Sequence, residues 1–250
     1  MARQKGVIAI EGKIDGLSFY KTKFGNIVRK TGGFNGERIL KEAAYARTRE
    51  NSMEFGNASK ASSLLRRALK NMHYYMSDNL VSSRATQVMR KVIDFDATSE
   101  RGKRSVSHGI LHSDAKAILK GFNFNAQAVL NNVLIKPFTV NTETGVVTIN
   151  ELVPLTGIAF SDGATHVLFI GAWSKLNFDT GMYETLLTNV VDLPIDNTPS
   201  TITLTPTGPA PSITGTSVFA LQIAFTQLVN GVHYSLNNGA YNCLCVIGVA

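Results

Sequence analysis

Residues 103–125, KRSVSHGILHSDAKAILKGFNFN, are where one kind of sequence stops and another begins. Residues 105–120 carry the spacing of a helix that packs on a core. After Lys120, Phe122 and Phe124 alternate with Asn123 and Asn125 as they would on a strand. No Gly/Ser/Pro-rich spacer separates the two patterns, so the halves are expected to be fixed against each other rather than tethered. Charge changes at the same place. Residues 1–120 hold 23 of the 25 Lys and Arg and 11 of the 18 Asp and Glu, a formal +12, whereas residues 121–250 hold 2 and 7, a formal −5.

Upstream of this boundary the chain reads as helices preceded by a small β element. An apolar run from Val7 to Ile10, then Leu17-Ser18-Phe19-Tyr20 and Ile27-Val28-Arg29-Lys30, are expected strands. Turns at Asp15-Gly16 and Lys23-Phe24-Gly25-Asn26 join them, and Gly32-Gly33 ends the element. Residues 37–50 are Ala-rich and charged. Residues 57–76 place Ala61, Leu64, Leu65, Ala68, Met72, Tyr75 and Met76 on one helical stripe, with Asn57 as N-cap. Val81, Ala85, Val88 and Val92 form the next stripe. Three or four helices with short connections predict a small basic bundle.

Downstream the period is two. Phe219, Leu221, Ile223 and Phe225 predict a half-buried strand, and Asn230-Gly231 is the strongest hairpin signal because a type I′ turn needs positive φ at both central positions. With Asn238-Gly239 it suggests a three-stranded meander over 217–229, 232–236 and 241–249. Thr144-Gly145 and Asp179-Thr180-Gly181 mark further hairpins. Strands near 127–135, 146–150, 165–174, 183–191 and 201–205 complete a set whose spacing predicts a β-sandwich. The expected fold is α+β: an N-terminal β-hairpin (1–33), a basic helical bundle (34–120) and a C-terminal antiparallel β-sandwich (121–250).

Composition, 44% hydrophobic and 17% charged, belongs to a globular chain with a real core. No apolar run reaches the roughly 18 residues of a membrane span, and the start lacks the apolar core of a signal peptide, so a cytoplasmic protein is expected. Cys243 and Cys245 share one strand face and read as buried thiols, because C-x-C alone completes neither a disulfide nor a zinc site. His108 and His112 have i, i+4 spacing, but Gly109 stands where H-E-x-x-H requires its base. His73, His166 and His233 read as structural. Asp94 and Asp96, flanking Phe95, read as a solvated helix end. No nucleophile-elbow or phosphate-loop motif is present. No catalytic residue, metal ligand, cofactor or small-molecule substrate is assigned.

What remains is surface chemistry. Arg47, Arg49, Arg66, Arg67, Lys70, Arg101, Lys103 and Arg104 form a candidate basic face for phosphates or an acidic partner. Its bland reading is a solvated surface paired with Glu37, Glu42, Glu50, Glu54 and Glu100. A basic half and an acidic half in one chain attract head to tail between copies, which is the contact that builds rings and filaments. Val7, Ile8, Ile10, Phe19, Tyr20, Ile27 and Val28 are the candidate assembly strands, able to add to another subunit's sheet edge. The expected function is a self-assembling structural subunit with itself as partner. Non-specific nucleic-acid binding is the alternative, and an adhesive or carbohydrate-binding sandwich using Trp173, Tyr183 or Tyr234 is a third reading.

The opening Lys5-Gly6, Glu11-Gly12, Gly16-Leu17-Ser18-Phe19-Tyr20-Lys21 and Gly32-Gly33, with Arg47-Thr48-Arg49-Glu50-Asn51 and Glu54-Phe55-Gly56, resembles a family of uncharacterised bacterial proteins of about this length. The ending, an Asn-Gly hairpin followed by Asn238-Gly239-Ala240, is also similar. The resemblance brings no activity, cofactor or site residue. It implies that the helices and sandwich together form the unit.

Overall fold

A computed structural model describes residues 2–4, 8–31, 36–73, 78–236 and 241–250. The expected features at Val7, Gly32-Gly33, Tyr75, Met76 and Asn238-Gly239 lie outside the described residues. The chain forms two compact units, residues 1–49 and 50–250. The expected boundary at residue 120 therefore falls inside the second unit.

The first unit is built on an antiparallel four-stranded sheet of β1 (Ala2–Arg3), β2 (Gly12–Ile14), β3 (Leu17–Thr22) and β4 (Gly25–Lys30), in the order β1-β4-β3-β2. Asp15 (φ 44°) and Gly16 (φ 75°) make the predicted tight turn between β2 and β3. The expected strand at Val7–Ile10 is not formed by its described residues. Ile8, Ala9 and Ile10 lie in a connection, and strand pairing moves to Ala2–Arg3 and Gly12–Ile14. The Gln4 amide explains the displacement: its Nε2 donates to Ile10 O (3.3 Å), and its Oε1 accepts from Ile10 N–H (3.2 Å). A side chain thus takes the place of a strand neighbour. Beyond the sheet come α1 (Gly36–Lys41) and a 3-10 turn at Ala43–Tyr45, to which Arg49 is tied through Ile39 O (2.6 Å) and Glu42 O (2.8 Å).

The helix predicted from Asn57 begins eleven residues earlier, as α2 (Ala46–Ala68), followed by α3 (Lys70–His73). Asn57 is therefore not an N-cap. Its Oδ1 accepts from Val106 N–H (2.9 Å) instead. Next come α4 (Val81–Ile93), α5 (Val106–Gly109) and α6 (Ser113–Leu119). The single helix expected over 105–120 is broken because Ser105 and His112 each cap a new start, accepting from His108 N–H and Asp114 N–H. Phe122 and Phe124 then run alongside the last strand, as Phe124 N–H donates to Leu244 O (2.8 Å) and Phe122 O accepts from Val246 N–H (2.9 Å). The strand expected near 127–135 is instead the short helix α7 (Leu130–Val133).

The remaining elements are β5 (Thr139–Val140), β6 (Val147–Leu152), α8 (Pro154–Gly157), β7 (His166–Leu176), β8 (Tyr183–Pro194), β9 (Ser200–Leu204), β10 (Thr216–Val229), β11 (Val232–Ser235) and β12 (Cys243–Val249). Strands β5, β6 and β9 make a three-stranded sheet. In the five-stranded sheet β10 pairs with β7 along one edge and with both β11 and β12 along the other. The meander is thus corrected: β12 does not pair with β11 but continues its line along β10. Asn230 (φ 51°) and Gly231 (φ 79°) form the expected turn.

Two cores meet across this sheet. Odd positions, among them Phe169, Trp173, Phe219, Leu221, Ile223, Cys243 and Cys245, join Val147, Ile149, Leu152, Ile202 and Leu204 of the small sheet. Even positions, Ala172, Leu176, Val218, Ala220, Leu244 and Val246, meet α2, α4, α5 and α6. Residues 217–226 of β10 are consequently buried on both faces rather than one. The small side chains of Ala172 and Ala220 leave room for helices to approach the sheet.

Candidate assembly surface

Of the candidate assembly residues, Phe19, Tyr20, Ile27 and Val28 lie on one sheet, whereas Ile8 and Ile10 lie outside its strands. The register Phe19↔Val28, Leu17↔Lys30, Ile14↔Leu17, Gly12↔Phe19 and Ala2↔Val28 puts Ile14, Leu17, Phe19 and Val28 on one face. The other face carries Tyr20 and Ile27 with Lys13 and Arg29, and the Arg29 guanidinium lies 5.5 Å from the Tyr20 ring centroid. No described residue of 1–49 is buried. Ile8 is 80% exposed, Ile14 53% and Phe24 55%. The unit holds 11 Lys and Arg against 4 Asp and Glu, a formal +7, so residues 50–250 are formally neutral.

The basic residues of the helical region behave differently. Arg101 meets Glu50 (3.4 Å) and Asn51 (3.2 Å), and Lys103 meets Glu100 (2.8 Å). Arg104 is half-buried, and its Nε, like that of Arg66, has no partner among the described residues. Arg67 lies 6.0 Å from the ring centroid of Tyr183, while Lys70 and Arg47 are exposed. Glu42 pairs with Arg38 (2.5 Å) within the first unit. The densest basic cluster, 101–104, thus lies in a loop, with Arg101 and Lys103 paired to carboxylates but exposed.

That loop is stitched to α2 by side chains whose role the sequence conceals. Glu54 is 1% exposed; its Oε1 accepts from Gly102 N–H (2.8 Å) and its Oε2 faces Arg90 (3.0 Å), which also meets Asp94 (2.5 Å). Glu50, Asn51, Glu54 and Asn57 fall on one helical face and each reaches the segment 101–106. A Cβ on Gly102 (φ 88°) would stand 2.9 Å from Glu50 Cγ, so glycine is required there. Their contacts make E-N-x-x-E-x-x-N, residues 50–57, a clamp. The only available signal was helical spacing, because the partners lie about fifty residues away.

Asp96, read as a solvated helix end, is buried. Its carboxylate accepts from Thr98 N–H and Oγ1–H, Ser99 N–H and Ser105 N–H at 2.9–3.1 Å. Burial alone would raise its pKa, but these hydrogen bonds outweigh burial and hold it well below the usual carboxylate range. Ser99 Oγ (3.1 Å) and Asp96 Oδ2 (3.4 Å) both address the same nitrogen, Nδ1 of His108. A nucleophile–base–acid relay needs the two ring nitrogens used separately, so this is a fold contact. Among the described residues no three His, Cys, Asp or Glu side chains are grouped to hold a metal. Burial pushes both cysteine thiols up to about 12. Trp173 is core, stacked on Phe219 (5.6 Å) with its indole N–H on Ser217 Oγ (3.3 Å), which withdraws it as an exposed platform. Tyr183 and Tyr234 remain exposed. No described helix is long and apolar enough to cross a membrane.

Comparison with protein-family models, curated proteins and solved structures found no match.

Proposed function

We propose that this chain is a subunit of a homo-oligomeric structural assembly, joined head to tail by the basic N-terminal sheet of one copy docking on the acidic sandwich region of the next. The observation that carries the reading is a hydrogen-bonded four-stranded sheet with no buried described side chain. Ordering each residue costs about 1–2 kcal/mol, and a sheet this small without a hydrophobic face covered is not independently stable. Cover for Ile14, Leu17, Phe19 and Val28 must come from another surface. Charge argues for a second copy: the sheet's unit is formally +7, and residues 121–250 carry 7 carboxylates against 2 cations. The short edges β1 and β2 leave room for strand addition.

The alternative, non-specific nucleic-acid binding by the helical cations, is less well supported, since Arg101, Lys103, Arg90 and Arg84 all face carboxylates. Negative-stain electron microscopy of the purified chain, with Leu17→Glu/Phe19→Glu as comparison, tests the proposal. Regular particles that disappear in the variant are expected. Single particles of monomer size in both samples would overturn it.

A further inference from the structure

Helices cover only part of the five-stranded sheet. Beyond Ala172 and Ala220 a pocket of about 300 Å³ opens on the same face. Leu168, Ile170 and Val190 form its walls, Gln222 and Thr226 its floor, and His233 closes one end. At that end polar groups satisfy one another: Thr226 Oγ1 meets His233 Nδ1 (3.0 Å) and His233 Nε2 meets Asp192 Oδ2 (3.2 Å). Gln222 differs. It is 1% exposed, and its Nε2 has no hydrogen-bond partner among the described residues.

An unmade hydrogen bond of a buried donor costs about 1–3 kcal/mol, and folded proteins hold few such groups. A leucine at 222 would avoid that cost on a face otherwise built from Val218, Ala220 and Leu244. A carboxamide offers a donor and an acceptor side by side, so its complement is a planar group with adjacent C=O and N–H. Among the described lining residues there is no Lys or Arg to neutralise an anion, and Asp192 already engages the imidazole. The volume is at the lower end of small-ligand sites, and the walls suit an apolar ring. We propose that this pocket binds a small neutral carboxamide or lactam, held by paired hydrogen bonds to Gln222 with its ring against Leu168, Ile170 and Val190.

Saturation-transfer NMR on the full chain tests this with nicotinamide and uracil as neutral probes and nicotinate as the charged one. Transfer to a neutral probe is expected, with nicotinate weaker by roughly tenfold or more. Gln222→Leu should abolish transfer while raising the melting temperature of the unliganded protein. Val190→Trp, from an exposed wall position, should block the pocket without lowering that temperature. No transfer to either neutral probe at about 10 mM, a concentration that detects even millimolar affinity, would overturn the proposal. So would unchanged transfer in either variant. A lower melting temperature for Gln222→Leu would show that the amide is satisfied in solution, which also removes the site.

Discussion

Replacing Glu54 by alanine removes a carboxylate that is 1% exposed and serves two partners, Gly102 N–H at 2.8 Å and Arg90 at 3.0 Å. The amide is left buried without an acceptor, at about 1–3 kcal/mol. Losing one partner of a fully buried ion pair costs about 3–5 kcal/mol, but Arg90 is 35% exposed and keeps Asp94, so only a fraction of that applies. Together the loss should be about 2–4 kcal/mol. Glu54→Gln keeps an acceptor for Gly102 but not the charge, and should lose about half as much. Urea unfolding followed by far-UV circular dichroism measures both, with an unchanged slope expected if only stability is altered. A Glu54→Ala loss below about 0.5 kcal/mol, the range of an ordinary surface substitution, would refute the clamp.

A Cβ on Gly109 would lie 2.1 Å from Val92 O, where α5 crosses α4, whereas one on Gly56 within α2 meets nothing within 4 Å. Gly109→Ala should therefore destabilise by about 3 kcal/mol or more and Gly56→Ala stabilise by about 0.5–1 kcal/mol, both readable by calorimetry. Asp96→Asn should cost roughly 2–3 kcal/mol at neutral pH. The Asp96 pKa is depressed in the folded state, so its contribution is present above the unfolded value of 3.8 and fades as pH falls through the folded value. The gap between wild type and Asp96→Asn should accordingly narrow only below pH 3.8, and a gap independent of pH down to unfolding would contradict that assignment.

Local chemistry was legible where it alone decides. Asp15-Gly16 and Asn230-Gly231 turn as read, because positive φ at consecutive positions leaves few alternatives. Strands β6 to β10 fall close to their expected places for the same reason: periodicity and turn residues agree there. Partnership across distance was not legible. Residues 127–135 have a strand-like run, yet Leu130 N–H is taken by Asn123 Oδ1 (2.9 Å), and a helical turn results. Asn57 looks like a cap until Val106 is seen to use it. Ile8 to Ile10 look like a strand until the Gln4 amide occupies the N–H and C=O of Ile10. In the candidate basic face, the ion pairs of Arg101 with Glu50 and of Lys103 with Glu100 depend on how the loop returns to α2. Gln222 reads as an ordinary alternation of polar with apolar, and only two-sided burial of β10 makes it unusual.

The central claim is that the basic N-terminal sheet is covered by a second copy. Size-exclusion chromatography with multi-angle light scattering, at micromolar concentration in low and in high salt, tests it most directly. A mass several times the 27.1 kDa of the chain is expected at low salt, falling toward smaller species as salt screens the contact between +7 and −5 surfaces. A mass of 27.1 kDa under both conditions would contradict it.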